Sequence, residues 1–180
     1  MIFKETPLAG AYVIEIEKNI DERGFFARTW CREEFEKNNL NTDLAQFSLS
    51  FNFKKGTLRG MHFQVYPDEE IKIVRCTAGS IYDVIVDLRK ESKTYLKFFG
   101  IKLTAQNRTM LYIPKKFAHG FVTLEDNSEV FYLISEFYAP GSARGFRWND
   151  RRLGIDWPVE PSVMSSKDKN LPDFSESLLL

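Results

Sequence analysis

Short runs of β-branched and aromatic residues recur along this chain between Gly, Pro, Asn and Asp, many alternating with polar positions, and very little has the 3.6-residue period of a helix. The runs predicted as strands are AYVIEIE from Ala11, GFFART from Gly24, FSLSFNF from Phe47, TLRGMHF from Thr57 and IKIVRC from Ile71. They continue with SIYDVIVDL from Ser80, KFFGIKLT from Lys97, RTMLYI from Arg108, HGFVTL from His119 and EVFYLI from Glu129. One segment, REEFEKNNL from Arg32, has helical residue types and an asparagine terminus, and the tail from Pro161 to Leu180 adds a short turn or two. Many short strands, with no repeat, low-complexity tract or linker, predict an all-β sandwich or barrel with a few short peripheral helices. The 180 residues suffice for one domain that buries about two-thirds of its unfolded surface without staples.

A jelly-roll barrel encloses a lumen, so polar residues on otherwise apolar strand faces are informative. In Ser80–Leu88 alternation places Asp83 between Ile81 and Ile85, with Tyr82, Val84, Val86 and Leu88 on the other face. Lys72 shares its face with Val74, and Tyr132 shares its face with Val130 and Ile134. Burying such groups is unfavourable unless they are partnered. Each alone reads as a snorkelling or hydrogen-bonded core residue; three together point to a site. The stretch Gly56–Gln64 adds Arg59 and His62, which regular alternation puts on opposite faces of one strand. Both reach the lumen only if the strand is irregular between them, and Gly60 is where a bulge fits most easily.

The formal net charge is +0, from 25 basic and 25 acidic residues, which argues against nucleic acid as a partner. Cys31 and Cys76 lie far apart without a CxxC, as expected for reduced thiols in the cytoplasm. The N-terminal stretch has charges inside its apolar run and no later segment approaches 18 uncharged apolar residues, so neither secretion nor a membrane span is expected. Metal-binding barrels of the cupin type use a His-x-His pair and a further histidine. This chain has His62-Phe63-Gln64 and only His119 besides, so no metal is expected. No Gly-rich dinucleotide fingerprint follows a strand, and no redox cofactor is expected.

Asp21-Glu22-Arg23-Gly24-Phe25-Phe26, Gly56 to Gln64, Lys72-Ile73-Val74-Arg75 and Gly79 to Arg89 occur in that order. Ile113-Pro114 through His119-Gly120-Phe121, Phe131-Tyr132, Phe137 to Pro140, Arg147 to Asp150 and Ser166-Lys167-Asp168 follow. In this ordered series the chain resembles the nucleotide-sugar 3,5-epimerases of the dTDP-4-dehydrorhamnose type, metal-free cupin-like jelly rolls, over nearly its whole length. The resemblance implies a nucleoside-diphosphate 4-keto-6-deoxy sugar as substrate, no cofactor, and proton removal and return at C3 and C5 through an enolate. It implies His62 as base held by Asp168, Tyr132 as acid across the ring, and Lys72 stabilising the enolate oxygen. It further implies that His119 and Asp83 shape the sugar pocket, that Arg23 and Arg59 hold the diphosphate, and that Phe26 and Gln46 bind substrate. A homodimer is implied too, in which the Arg23 segment reaches the partner's site. The chain departs from the commonest pattern at Ala27-Arg28, at Ser48 in place of asparagine and at Glu70 in place of glutamine. These positions leave the nucleobase open between dTDP, CDP and others, and leave a C3-selective epimerase as the alternative. A non-catalytic sugar-nucleotide-binding cupin is a further alternative, disfavoured because binding alone needs no acid and base on opposite ring faces.

Overall fold

The structure is a computed structural model and describes residues 1–180. The chain begins with β1 (Ile2–Glu5), β2 (Tyr12–Glu15), β3 (Asn19–Asp21) and β4 (Gly24–Phe26), then the helix α1 (Arg32–Lys37). Next come β5 (Gln46–Asn52), β6 (Leu58–Gln64), β7 (Lys72–Ala78), β8 (Ser80–Asp87) and β9 (Phe98–Thr104). The last strands are β10 (Met110–Ile113), β11 (Phe117–Thr123), β12 (Ser128–Ile134) and β13 (Ala143–Gly145). The helix α2 (Ser166–Lys169) and a 3₁₀ turn (Glu176–Leu179) complete the tail. No helix is long and apolar enough to cross a membrane.

Two antiparallel sheets face each other, a six-stranded one in the order β1-β2-β10-β7-β12-β5 and a five-stranded one in the order β13-β6-β11-β8-β9. The first core lies between them: Val74, Cys76, Leu111 and Val130 from the larger sheet meet Ile81, Ile85, Leu103 and Phe121 from the smaller. A second core coats the back of the smaller sheet, where Val84, Val86 and Ala118 pack under Phe146, Leu153 and Phe174 of the tail. The third coats the back of the larger sheet, where Ile73, Met110 and Leu133 pack under Phe35 of α1. Central strands are therefore covered on both faces. This is why β8, β10 and β11 read as nearly continuous apolar runs, whereas one-sided strands alternate.

The ten predicted strands are all present, although GFFART contributes only Gly24–Phe26. Three strands were not legible: β1, β3 and β13 have three or four residues each and offer too few positions for a period to emerge. The helix predicted from Arg32 forms and stops at Asn38, and Asn39 takes a φ of 56° that ends the turn.

The irregularity expected at Gly60 is the feature that builds the site. His62 pairs with His119 and Arg59 pairs with Phe121, so β6 spends three residue steps where β11 spends two. One extra residue flips the alternation and turns both side chains toward the lumen. Gly60 has a φ of +136°, and a Cβ placed on it would lie 2.6 Å from the Cα of Gly120. Only glycine meets both demands. Gly60→Ala is expected to destabilise the fold by about 3 kcal/mol, lowering the thermal midpoint by roughly 6–12 °C. Thermal unfolding followed by circular dichroism checks this, and an unchanged midpoint would refute the bulge as described.

Candidate active site

At one end of the lumen the two sheets part into a cavity of about 530 Å³. The smaller sheet supplies Arg59 and His62 from β6 and His119 from β11; the larger supplies Gln46 from β5, Lys72 from β7 and Tyr132 from β12. Asp168 of α2 closes the rim. Seven of the residues expected in the site thus line one cavity, and Asp83 sits directly behind His119.

His62 and Asp168 are 106 positions apart, yet Nε2 of the imidazole lies 2.6 Å from Oδ1 of the carboxylate. The tail is tied to the start of β6 by the Leu58 N–H to the Val163 carbonyl, and to the segment after β13 by the Arg147 N–H to the Pro172 carbonyl, bonds that bracket α2 on both sides. Ser165 accepts from the backbone N–H of Asp168, capping the short helix and setting the carboxylate's direction. Although its sequence context reads as a solvated turn, the Asp168 side chain is only 6 % exposed. Burial disfavours its charge. The hydrogen bond and charge of His62, then Ser165 and Lys167, outweigh that and hold its pKa below the usual carboxylate range. An ionised carboxylate only accepts, so Nε2 of His62 donates to it, and in the neutral form of the ring the lone pair lies on Nδ1. His62 remains over a third exposed, open to a ligand.

His119 makes the matching pair with Asp83, Nε2 to Oδ1 at 2.8 Å, here with both side chains buried. Its ring meets that of Tyr132 edge-on at 6.0 Å between centroids. Burial and then the negative charge of Asp83 push the Tyr132 phenol far above its ordinary pKa, while Arg59 pulls the other way. Tyr132 is thus a protonated donor across the neutral range, on the sheet opposite the one that carries His62. Arg59 donates through Nε to Oδ1 of Asn52 at 2.8 Å, which fixes the guanidinium at the cavity wall.

Arg23 and Phe26 are not brought to this cavity in their own chain. They lie on the β3–β4 hairpin, whose strands pair only with each other; Phe26 is exposed and Arg23 holds Asp21, Nη2 to Oδ2 at 2.5 Å. Nothing in so small a ribbon ties it to the lumen. Conversely, Tyr138, Lys167 and Asn52 serve the cavity or its wall without having been singled out, while Ser48 and Glu70, named as departures from the family pattern, do line it. Period-2 alternation also puts Glu70, two positions before Lys72, on the same side of the chain as that lysine. For β5 the alternation misleads, because its polar face, Gln46, Ser48 and Ser50, lines the cavity while Phe47, Leu49 and Phe51 are exposed.

Gln64, at the position where a His-x-His pair would have its second ring, is occupied by backbone groups. It donates to the carbonyls of Asp68 and Phe137 and accepts from the N–H of Ala139, tying down the segment that carries Tyr138.

A family model described as dTDP-4-dehydrorhamnose 3,5-epimerase matches residues 5–176. A protein of that name from Methanothermobacter thermautotrophicus is 41% identical over 178 residues, covering 97% of this chain and 95% of the relative. Among solved structures, dTDP-4-dehydrorhamnose 3,5-epimerase from Elizabethkingia anophelis superposes with a TM-score of 0.93 at 37% identity, covering 97% of this chain and 96% of that one. The enzyme of the same name from Bacillus anthracis, solved with TDP and PPi bound, superposes with a TM-score of 0.92 at 38% identity, covering 96% of this chain and 99% of that one. Matched along nearly its full length in sequence and in fold, the chain belongs to the dTDP-4-dehydrorhamnose 3,5-epimerase family.

Proposed function

We propose that this protein inverts C3 and C5 of a dTDP-linked 4-keto-6-deoxy sugar, converting dTDP-4-dehydro-6-deoxyglucose to dTDP-4-dehydrorhamnose. The observation that carries the reading is that His62, bonded to Asp168, and Tyr132, protonated at neutral pH, stand on facing sheets across one cavity. A ketone at C4 acidifies the hydrogens on C3 and C5. Nδ1 of His62 removes one of them, the electron pair moves to the C4 oxygen, and Lys72 meets the negative charge that develops there. Tyr132 returns a proton to the opposite face, and exchange with solvent restores both groups. Repetition at the second carbon completes a redox-neutral isomerisation. Arg59 offers a guanidinium to the diphosphate, and His119 with Asp83 bounds the sugar.

The reading extends to residues 1–180 working as one domain, to a homodimer and to the cytoplasm. The family match spans nearly all of the chain, and Cys31 and Cys76 are unbridged, as suits a reducing compartment. The dimer is supported by β5, an edge strand whose outward Phe47 and Leu49 are 64% and 57% exposed. In such a pair the exposed hairpin carrying Arg23 and Phe26 reaches the partner's cavity.

The test is to present the 4-keto-6-deoxy sugar on dTDP, CDP, UDP and GDP and follow C3 and C5 by NMR. The dTDP compound is expected to turn over fastest and at both carbons. Faster turnover of the CDP compound, or inversion at C3 alone, would overturn that assignment.

A further inference from the structure

Glu70 lies just before β7 and its Oε1 is 2.7 Å from Nζ of Lys72. Both side chains line the cavity and are nearly out of solvent, 11% and 13% exposed. The backbone between them is pinned. Ile71 is buried in the core behind the larger sheet, donates its N–H to Oγ of Ser135, and accepts from the Ser135 N–H. Two residues of one polarity face therefore leave a rigid base and meet at their tips. An ammonium on a four-carbon stem has large rotamer freedom, and freezing it when substrate arrives would weaken its effect on the transition state. The Glu70 acceptor freezes it beforehand. One of the three N–H donors is used, and two remain for a ligand oxygen.

We propose that Glu70 is a positioning residue for the epimerisation: its carboxylate holds the Lys72 ammonium where the enolate oxygen forms. The inference rests on the function proposed above and deepens it. The needed feature is a hydrogen-bond acceptor at the tip of residue 70, since the opposite charge itself partly offsets the attraction of Lys72 for the enolate. A side chain of the same length with an amide oxygen therefore suffices, and an apolar one does not.

Steady-state kinetics on the dTDP-linked keto sugar test this with four variants. Glu70→Leu is expected to lower kcat about tenfold or more with little change in KM, because the loss falls on the transition state. Glu70→Gln is expected to recover most of that loss. In a Lys72→Met background, Glu70→Leu is expected to cause no further loss and to raise kcat somewhat, because it removes an unpaired carboxylate beside the developing enolate. A Leu variant as active as wild type overturns the inference, and so does a Gln variant no better than Leu. An equal loss with and without Lys72 also overturns it, since that would mark a structural role. A wild-type protein that fails to turn over the sugar at all overturns the proposed function, and with it this refinement. An active wild type with an unaffected Leu variant overturns the refinement alone.

Discussion

In deuterated water, His62→Asn is expected to leave the substrate free of solvent deuterium at both C3 and C5, with turnover reduced about 10³-fold. The wild-type protein is expected to incorporate deuterium at both carbons, because the returned proton comes from a group that exchanges with solvent. Asparagine keeps a polar side chain near Asp168 but has no lone pair basic enough to take a proton from carbon. With no enolate formed, neither exchange nor inversion proceeds. The reading depends on Asp168 at 2.6 Å, which keeps the proton on Nε2 and leaves Nδ1 as the base. Undiminished wash-in by the variant would show that another group is the base, and His119 is a poor substitute because its ring and Asp83 are both buried.

Tyr132→Phe is expected to give the opposite pattern, in which inversion falls about 10²-fold or more while deuterium still enters. His62 is intact in this variant and the enolate forms. The proton then returns from the face it left, so label appears in sugar of unchanged configuration. The hydroxyl is what matters here. Tyr132 stands on β12, in the larger sheet, and His62 on β6, in the smaller, so under the proposed mechanism a sugar ring held between them would meet them on opposite faces. The phenol is kept protonated by burial and by Asp83, so its role as donor needs no adjustment near neutral pH. NMR of the recovered sugar separates retained from inverted label. Parallel loss of exchange and inversion would place Tyr132 with the base rather than across from it.

Much of the site was legible before the fold was known, because a strand's period is a local property of the backbone. Alternation placed Lys72 with Val74, Asp83 with Ile81 and Ile85, and Tyr132 with Val130; Val74, Ile81, Ile85 and Val130 all belong to the core between the sheets. The clash of parity between Arg59 and His62 marked Gly60 as the place for an extra residue, and β6 carries it there. The family and its chemistry were likewise readable from the ordered motifs, and the match over residues 5–176 agrees.

Other features depended on partners that no local pattern encodes. Asp168 becomes a buried acid only because the tail is laid across β6 and brings it to His62 from 106 positions away. Glu70 became visible as a partner of Lys72 only when the Ile71–Ser135 hydrogen bonds fixed the backbone beneath both tips. In β5 the pattern pointed the wrong way, since apolar residues usually turn inward. A polar cavity on its inner side reverses that, and its phenylalanines face out. Arg23 and Phe26 have site-like neighbours in sequence, yet their hairpin pairs only with itself. Local periodicity determined which side chains share a face of a strand; the packing of sheets and tail decided what each face meets, because that free energy comes from contacts between distant segments.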